Sequence, residues 1–360
     1  MTFLRDANKV ALVKELNLVW LVWVKFILCI LIILFSGRAI ARYGDIIARK
    51  TGLGGIWVGV VLLALVTSLP EVFTGISAVT LIDAPDLTIG NLFGANAWNL
   101  LKLAVLDIMY HNGSLLGAVV RGHRLTGWLS MVLVLVAAVS ILISSRYPAL
   151  GLGWIGWYSP IIILLYLVFM WKLFRSEQRQ PSSQATEQRV EPEYAEIPSG
   201  KVYLYFTIAA AFIIGAGTWL AIIGGEIAAV TGWGESFVGS LLLGFTTSLP
   251  EIVVSYSAMR IGAIDLAVAN LIGSNLFNMT VIPIDDLFYL QGPVLASVSE
   301  SHLITALVVI LMTGIFMAGL HFRPRRLFRL SWCNLALIAL FLLGAYLSYR
   351  PDIILSFFGL

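Results

Sequence analysis

Two glutamates, Glu71 and Glu251, have the sequence context of cation ligands inside a membrane. Each ends a copy of the pentapeptide Thr-Ser-Leu-Pro-Glu, and the two copies begin half a chain length apart in a chain of 360 residues. Almost unbroken apolar runs, residues 56–66 and 237–245, precede them. A carboxylate is costly to bury in lipid, so an intramembrane glutamate is a functional candidate by default. The pair predicts a binding site shared by two halves of the chain.

The proline of each pentapeptide provides further oxygen ligands. Proline has no N–H, so carbonyl oxygens about one turn earlier lose their donor. A broken helix at membrane depth is tolerated only around a cavity or inside protein. The freed carbonyls are predicted near Val66 and Thr67 and near Thr246 and Thr247. Because threonine and glutamate stand four positions apart in each copy, they share a helix face, with the serine beside them.

Two motifs of the form G-x-N-x-x-N supply amide oxygens. They end at Asn99 and Asn278, and Ser274 adds a hydroxyl one turn before Asn278. Carboxylate, carbonyl, hydroxyl and amide oxygens together suit a hard cation such as calcium, which takes about six to eight oxygen ligands. The histidines fall in loops or at the ends of apolar segments, which argues against a histidine-bound zinc or copper ion. They are His111, His123, His302 and His321.

The composition excludes a soluble or disordered protein. Hydrophobic residues make up 59% of the chain and charged residues 12%, with a mean hydropathy of +0.92, which is the composition of a membrane protein. Cys29 and Cys333 lie in apolar segments and are predicted to be small core residues, not a disulfide framework. The polar start of the chain, from Met1 to Glu15, does not form a cleavable signal pattern.

Apolar segments of about 20 residues predict an all-α membrane protein with about ten transmembrane helices. The predicted spans are 18–41, 56–82, 87–109, 125–143, 157–174, 202–230, 237–259, 266–284, 303–320 and 330–347. The second and seventh are broken within the pentapeptides. The polar stretch 175–200 is predicted to be a flexible linker. It separates a first repeat, 18–174, which follows a polar segment 1–17, from a second repeat, 201–360.

The two halves are predicted to form an inverted repeat. Each half holds five spans, so the second inserts upside down relative to the first. The asparagine motifs correspond as well, with Asn99 equivalent to Asn278. Lysine and arginine concentrate in the linker and in loops after odd-numbered spans, so the linker is predicted to be cytoplasmic and both termini to lie outside. Four acidic residues near span ends are predicted to be interfacial anchors or gate lining: Asp45, Glu226, Asp107 and Asp286.

The paired T-S-x-P-E and G-x-N-x-x-N segments resemble the calcium/cation antiporter superfamily, in particular prokaryotic sodium/calcium exchangers, over both halves. The resemblance implies ten helices and alternating access, with calcium exchanged for several sodium ions. It implies that Glu71 and Glu251 bridge calcium and that Thr67 and Thr247 add backbone oxygens. The implied sodium ligands are the carbonyls of Ala64 and Gly244 and the hydroxyls of Ser68, Ser248 and Ser274, with Asn99 and Asn278 at the centre.

Three positions depart from that family pattern. Ala95 stands where the family usually has a serine, so one sodium site lacks a hydroxyl. Asn278 stands where many members have an aspartate. Lys102, three positions after Asn99, corresponds to Val281 in the second half and has no charged counterpart there. These departures bear on the coupling ion and its stoichiometry.

Two interpretations of Lys102 follow from its apolar surroundings. In the first, the side chain extends to the cytoplasmic interface or pairs with Asp107 or Asp286. In the second, the ammonium reaches the central cavity and acts as a tethered cation. It would then neutralise part of the charge of Glu71 and Glu251 and lower the number of sodium ions needed.

The predicted function is a secondary active antiporter, not an enzyme, that exchanges calcium or another divalent cation for sodium. A proton-coupled or potassium-linked exchanger is the alternative. An intramembrane hydrolase using Ser68 or Ser248 would lack a histidine base inside a span, and a cation channel does not explain inverted halves with two broken helices. The predicted partners are small inorganic cations and the lipid bilayer of a prokaryotic plasma (inner) membrane. No catalytic residue, cofactor, nucleic acid or obligate protein partner is predicted.

Structural alternatives apply to the polar residues. Glu71 and Glu251 could form a structural pair held by hydrogen bonds. Buried asparagines also join membrane helices without binding a ligand, and this alternative stands beside an ion-binding role at four positions: Asn91, Asn96, Asn270 and Asn275.

Overall fold

The computed structural model describes residues 2–50, 63–111, 113–119, 123–178, 197–322 and 330–353. Three predicted features lie wholly or partly outside these ranges. They are the apolar run 56–62 of the second span, most of the linker 175–200, and the basic loop 323–329 that follows the ninth predicted span.

The described residues are helical apart from short connections and one hairpin, in which Gly151–Leu152 pairs antiparallel with Ile155–Gly156. The first half contains α1 (Thr2–Lys50), α2 (Leu69–Leu81), α3 (Pro85–Met109), α4 (Leu115–Ala118), α5 (His123–Arg146) and α6 (Tyr158–Gln178). The second half contains α7 (Ser199–Thr231), α8 (Glu235–Val238), α9 (Gly244–Thr247), α10 (Leu249–Arg260), α11 (Ile264–Phe288), α12 (His302–Phe322) and α13 (Trp332–Tyr349). A π-helical turn, Gly239–Leu243, joins α8 to α9, and a 3₁₀ turn, Val294–Ala296, precedes α12.

Seven helices in the described part of the chain are long and apolar enough to cross a membrane: α1, α3, α5, α7, α11, α12 and α13. The broken segment from Glu235 to Arg260 forms an eighth if its 41° bend lies within one span. Two shorter apolar helices, Leu69–Leu81 and Tyr158–Leu173, lie at the predicted second and fifth spans. An all-helical membrane protein is therefore confirmed, and the ten-helix inverted layout remains a prediction.

The polar helices are innermost and the apolar helices surround them. In α3 and α11, 72% and 83% of the most apolar stretch is buried, against 22% in α1. These two helices carry the asparagine motifs, so the protein shields them from lipid. Helix α1 packs along α7, and Lys25 of α1 pairs with Glu226 of α7 at 2.9 Å. The burial pattern predicts that functional groups lie on α3, α11 and the broken helices beside them.

Asp107 and Asp286, predicted to be interfacial anchors or gate lining, are fully buried inside the protein, so they are not exposed anchors. Asp107 accepts hydrogen bonds from the backbone of Leu115 and from the Asn334 amide at 2.8 Å. Asp286 accepts from the backbone of Val294 at 2.7 Å, and this residue is the counterpart of Leu115 in the other half. Each aspartate therefore satisfies the first N–H groups of the turn that follows its helix.

Candidate ion-binding site

The two pentapeptides form two helix breaks in the core. Ser68 interrupts the helical chain before α2 with φ −89° and ψ 9°, and Ser248 interrupts it before α10 with φ −85° and ψ 11°. The proline after each break lies in the first turn of the new helix, where its missing N–H costs no intrahelical bond. Both glutamates also lie in that first turn, at the positive end of the helix dipole.

Glu71 and Glu251 are fully buried and near enough to act on each other electrostatically. Neither carboxylate oxygen of Glu71 has a hydrogen-bond partner among the described residues. The Oε1 atom of Glu251 accepts from the Ser68 hydroxyl at 3.4 Å, and its Oε2 atom has no partner there. Two buried carboxylates with so few donors are costly without a cation. The pair is therefore arranged to attract positive charge.

Lys102 supplies positive charge to this pair. Its Nζ atom donates to the Asn99 Oδ1 atom at 3.1 Å and to the Ser248 carbonyl. The side chain is 6% exposed, and its charge acts on both Glu71 and Glu251. Among the described residues Lys102 neither reaches the surface nor bonds to Asp107 or Asp286. The first interpretation of Lys102 from the sequence is therefore wrong, and its ammonium lies among the predicted ligands.

Four asparagines join α3 to α11 in a reciprocal network. Asn96 Nδ2 donates to the Asn275 carbonyl at 3.2 Å, and Asn275 Nδ2 donates to the Asn96 carbonyl at 3.1 Å. Asn99 Nδ2 donates to Asn275 Oδ1 at 2.9 Å, and Asn278 Nδ2 donates to Asn96 Oδ1 at 3.0 Å. Asn96 and Asn275 thus hold the helices together and orient the other two amides.

The side-chain oxygens of the two central asparagines, Asn99 and Asn278, differ in their hydrogen bonding. The oxygen of Asn99 accepts from Lys102, whereas the oxygen of Asn278 has no partner among the described residues. This difference follows from the absence of an ammonium at Val281, the counterpart of Lys102. The Asn278 oxygen is thus available as an ion ligand.

The threonines of the breaks contact the opposite half. The Thr247 hydroxyl lies beside Glu71 and donates to Asn91 Oδ1 at 2.9 Å. The Thr67 hydroxyl lies beside Glu251 and 3.5 Å from Asn270 Oδ1, and it also donates to the Leu63 carbonyl of its own half at 3.0 Å. Each threonine therefore lines the site next to the glutamate of the other half.

The predicted sodium ligands include both engaged and unpartnered oxygens. The Ala64 carbonyl accepts the Ser68 amide at 3.0 Å, and the Gly244 carbonyl accepts the Ser248 hydroxyl. By contrast, the fully buried hydroxyl of Ser274 has no partner within the described ranges. Ligand use of the two carbonyls therefore requires those local bonds to be shared or exchanged.

Ala95, the counterpart of Ser274, lies where the two halves approach each other tightly. A Cβ atom added at Gly244 would lie 2.7 Å from the Ala95 nitrogen. Glycine at position 244 thus allows α9 to pack directly on the backbone of α3, as small residues do between membrane helices. The site has a hydroxyl on the α11 side that it lacks on the α3 side.

The sequence motifs did not point to two histidine–aspartate pairs and one buried aspartate that the structure contains. His302 Nε2 lies 2.7 Å from Asp86 Oδ1, and His123 Nε2 lies 3.2 Å from Asp265 Oδ1. Each pair joins the two halves of the chain. The two aspartates, and likewise the two histidines, are separated along the sequence by the same offset as the two asparagine motifs. This common offset is a signal that the sequence contains. Asp285, next to Asp286 in the chain, is fully buried without a partner among the described residues. Within those residues no three histidine, cysteine or acidic side chains converge as in a resident zinc site.

A family model described as sodium/calcium exchanger protein matches residues 21–175 and 201–350. Each matched range contains one pentapeptide and one asparagine motif. The chain belongs to the sodium/calcium exchanger protein family. This membership confirms the resemblance inferred from the motifs and makes the protein an ion exchanger, not an enzyme.

Similar proteins extend over most of this exchanger. The inner membrane protein YrbG of Escherichia coli (strain K12) is 27% identical over 265 residues, which are 70% of this chain and 75% of YrbG. The structure of the H+/Ca2+ exchanger CAX has a TM-score of 0.65 at 15% identity and covers 98% of this chain and 93% of its own. The sodium–calcium exchanger NCX_Mj, soaked with Na+ and Sr2+, has a TM-score of 0.57 at 19% identity and covers 91% and 98%. The structural matches show a shared fold.

Proposed function

We propose that this exchanger moves calcium or another divalent cation against sodium or protons by alternating access. The observation that carries the proposal is the pair of fully buried glutamates, Glu71 and Glu251, whose oxygens have almost no hydrogen-bond donors among the described residues. A divalent cation would neutralise both carboxylates at once, and oxygen ligands of this kind suit calcium. The exchangers with a similar fold, CAX and NCX_Mj, support the same class of transport.

The proposed layout is ten helices in two inverted five-helix repeats. Reciprocal contacts support it. When two halves are related by a two-fold axis, every contact between them occurs a second time between the corresponding residues of the opposite halves. The asparagine network and the histidine–aspartate pairs have this form. The linker 175–200 would be cytoplasmic and both termini would lie outside, in a prokaryotic plasma membrane; the distribution of lysine and arginine supports this orientation.

In the proposed site, Glu71 and Glu251 bridge the divalent ion, with backbone oxygens from Thr67 and Thr247. Asn278 would add the amide oxygen that has no other partner in the described structure. Monovalent ions would use oxygens near the helix breaks and on α11. These are the carbonyls of Ala64 and Gly244 and the hydroxyls of Ser68, Ser248 and Ser274.

Lys102 favours coupling to fewer sodium ions, or to protons. Its ammonium donates to Asn99 and to the Ser248 carbonyl, so it holds two oxygens that would otherwise face a cation. Together with the missing hydroxyl at Ala95, this contact supports the interpretation of Lys102 as a tethered cation. A divalent ion entering the site would have to displace the ammonium or share ligands with it.

Calcium flux into proteoliposomes tests the function. The purified chain is reconstituted, and uptake of radioactive calcium is measured with an outward sodium gradient at uniform pH, then with an outward proton gradient without sodium. An antiporter requires one of these counter-ions and shows uptake that saturates with calcium. Calcium flux of the same rate without any counter-ion would identify a channel, and no flux in either gradient would refute calcium exchange.

A further inference from the structure

A third carboxylate, Asp285, lies buried in the core outside the Glu71–Glu251 pair. The residue is fully buried near the end of α11, and neither of its oxygens has a hydrogen-bond partner among the described residues. It faces α2 at Gly75, where an added Cβ atom would lie 2.5 Å and 2.7 Å from the two carboxylate oxygens. The absence of a side chain at Gly75 is what makes room for this carboxylate.

Asp285 lies on the same helix faces as the proposed ion site. On α11, Ser274, Asn278 and Asp285 are spaced i, i+4 and i+11, so they fall within roughly 40° on one face at about 100° per residue. On α2, Gly75 follows Glu71 by one turn, or about 6 Å along the axis. Asp285 therefore continues the row of buried oxygens from the central site toward the Phe288 end of α11.

The neighbouring carboxylate shows what a structural aspartate looks like in this protein. Asp286 accepts hydrogen bonds from the backbone of Gly156 and Val294 and from the hydroxyls of Tyr158 and Ser159. Asp285 has none of these donors, and the charged group that acts on it most directly is Asp286 itself. A second negative group next to it makes an unpartnered carboxylate more costly.

The other half of the molecule lacks this group. The counterpart of Asp285 is Leu106, and the counterpart of Gly75 is Ser255. There, Asn270 Nδ2 donates to the Ser255 hydroxyl at 3.1 Å. In the first half the equivalent amide nitrogen, that of Asn91, is buried without a partner in the described structure. The second half thus has a neutral hydrogen bond from Asn270 to Ser255. The position that corresponds to Ser255, Gly75, instead faces a buried carboxylate, Asp285, without a hydrogen-bond donor among the described residues.

We propose that Asp285 binds one monovalent cation, a proton or a sodium ion, as a second station on the transport path. The station would lie between the divalent site and the Phe288 end of α11, with Gly75 providing the space for the carboxylate. The single charge bound there would leave when a divalent cation occupies Glu71 and Glu251, because like charges repel strongly in a buried site. This inference rests on the proposed antiport and assigns one coupling ion of the cycle to a residue.

The coupling ratio tests the station. Calcium gradients sustained by a tenfold sodium gradient, and separately by a tenfold proton gradient, are measured in proteoliposomes with the membrane potential held at zero. Loss of one coupling ion lowers the sustained calcium ratio about tenfold. For Asp285→Asn we expect this loss in one of the two gradients. Loss in the proton arm identifies a proton, and loss in the sodium arm identifies sodium. An unchanged ratio in both arms overturns the proposal.

A double variant distinguishes loss of the proposed station from loss of the fold. Gly75→Ser combined with Asp285→Leu introduces the residues that stand at the corresponding positions of the other half, Ser255 and Leu106, both of which are fully buried there. We expect this variant to fold and to show the same loss of one coupling ion. Asp352→Asn, an exposed aspartate paired with Arg350 at 3.0 Å, is the matched control and should keep the parent ratio. A parent ratio in the folded double variant contradicts the station.

An equilibrium measurement separates this proposal from the proposed function. Infrared difference spectra of the detergent-solubilised protein are recorded on changing pH and on adding sodium, without any transport. A carboxyl band that responds to one of these ions in the parent and is missing in Asp285→Asn supports the station even if the parent moves no calcium. Identical difference spectra for parent and variant refute the station even if the parent exchanges calcium normally.

Discussion

Lys102 and Val281 occupy corresponding positions in the two halves, three positions after the central asparagines. The same comparison sets Leu106 of the first half against Asp285 of the second. Among the described residues each half therefore carries one buried charge that the other lacks, positive on α3 and negative on α11. Lys102 contacts Asn99 and the Ser248 carbonyl, whereas Asp285 lies about two helical turns from Asn278.

Several other buried polar groups are the same in both halves. The asparagine pairs and the two histidine–aspartate pairs recur with one common spacing along the chain. These groups accept or donate bonds between helices and so maintain the packing. The repeated asparagine and histidine–aspartate groups thus hold the helices together, whereas in our proposal the unmatched charges of Lys102 and Asp285 make ion handling asymmetric. Variants of both kinds of residue test this difference.

Replacing either glutamate of the proposed divalent site should have the largest effect. Glu71→Gln and Glu251→Gln each remove one of the two charges available to a divalent ion, and we expect calcium exchange to be lost by about 100-fold or more. Initial rates in proteoliposomes measure the effect, with insertion and folding checked by size-exclusion chromatography. Because the glutamates are repeat partners, both losses should be of similar size. Full-rate exchange by either folded variant would remove that residue from the site.

Removing a repeated aspartate should damage stability instead of ion selectivity. Asp107→Ala and Asp286→Ala each leave several buried donors unpaired, and we expect a loss of about 3 kcal/mol in each case. Thermal unfolding in detergent measures it. Surviving protein should keep the parent's ratio of calcium to sodium affinity. A changed ratio with unchanged stability would show that these carboxylates act on ions and not on the fold.

Lys102→Val makes the first half like the second and should raise affinity. Electrostatic repulsion scales with charge, so removal of the ammonium favours a divalent ion about twice as much in free energy as a monovalent ion. We expect calcium to bind about tenfold more tightly, with a smaller gain for sodium. Equilibrium binding of both ions measures the difference.

The added variant Ala95→Ser extends that comparison. Ala95→Ser with Lys102→Val restores both features that the second half has, a hydroxyl and a neutral side chain. We expect the number of sodium ions per calcium to rise, measured as the gradient at which net flux reverses. If the double variant keeps the parent's ratio and calcium affinity, Lys102 has a structural role only.

Much of this architecture could be predicted because the same motifs occur in both halves of the sequence. The broken helices, both glutamates and the central asparagines follow from spacing and polarity alone, and the structure places Lys102 among them. Asp285 could not be found in this way. It stands beside Asp286 near a predicted span end, at 284, where acidic residues face water in many membrane proteins.

The structure extends that helix to Phe288 and covers its end with the turn at Val294–Ala296. Tertiary packing thus buries two aspartates that hydropathy assigns to the surface. The histidine–aspartate pairs were missed for a related reason, because each residue alone lies at a helix start and only the shared spacing links them. Long-range contacts of this kind depend on how the two halves meet, which no local pattern records.

The histidine–aspartate pairs give the smallest expected effects and the sharpest test of symmetry. The side chain of His302 is fully buried and bonds to Asp86 at 2.7 Å, whereas His123 is 16% exposed and lies 3.2 Å from Asp265, which is 40% exposed. A contact that is shorter and shielded from water contributes more than an exposed one, so His302→Ala should cost about 2 kcal/mol and His123→Ala about 0.5 kcal/mol. Thermal unfolding of the single variants and of Asp86→Ala and Asp265→Ala, arranged as two double-mutant cycles, isolates each pair from the loss of packing. Equal coupling energies for the two pairs would contradict this difference. They would mean that the two pairs contribute equally to stability despite their different exposure to water.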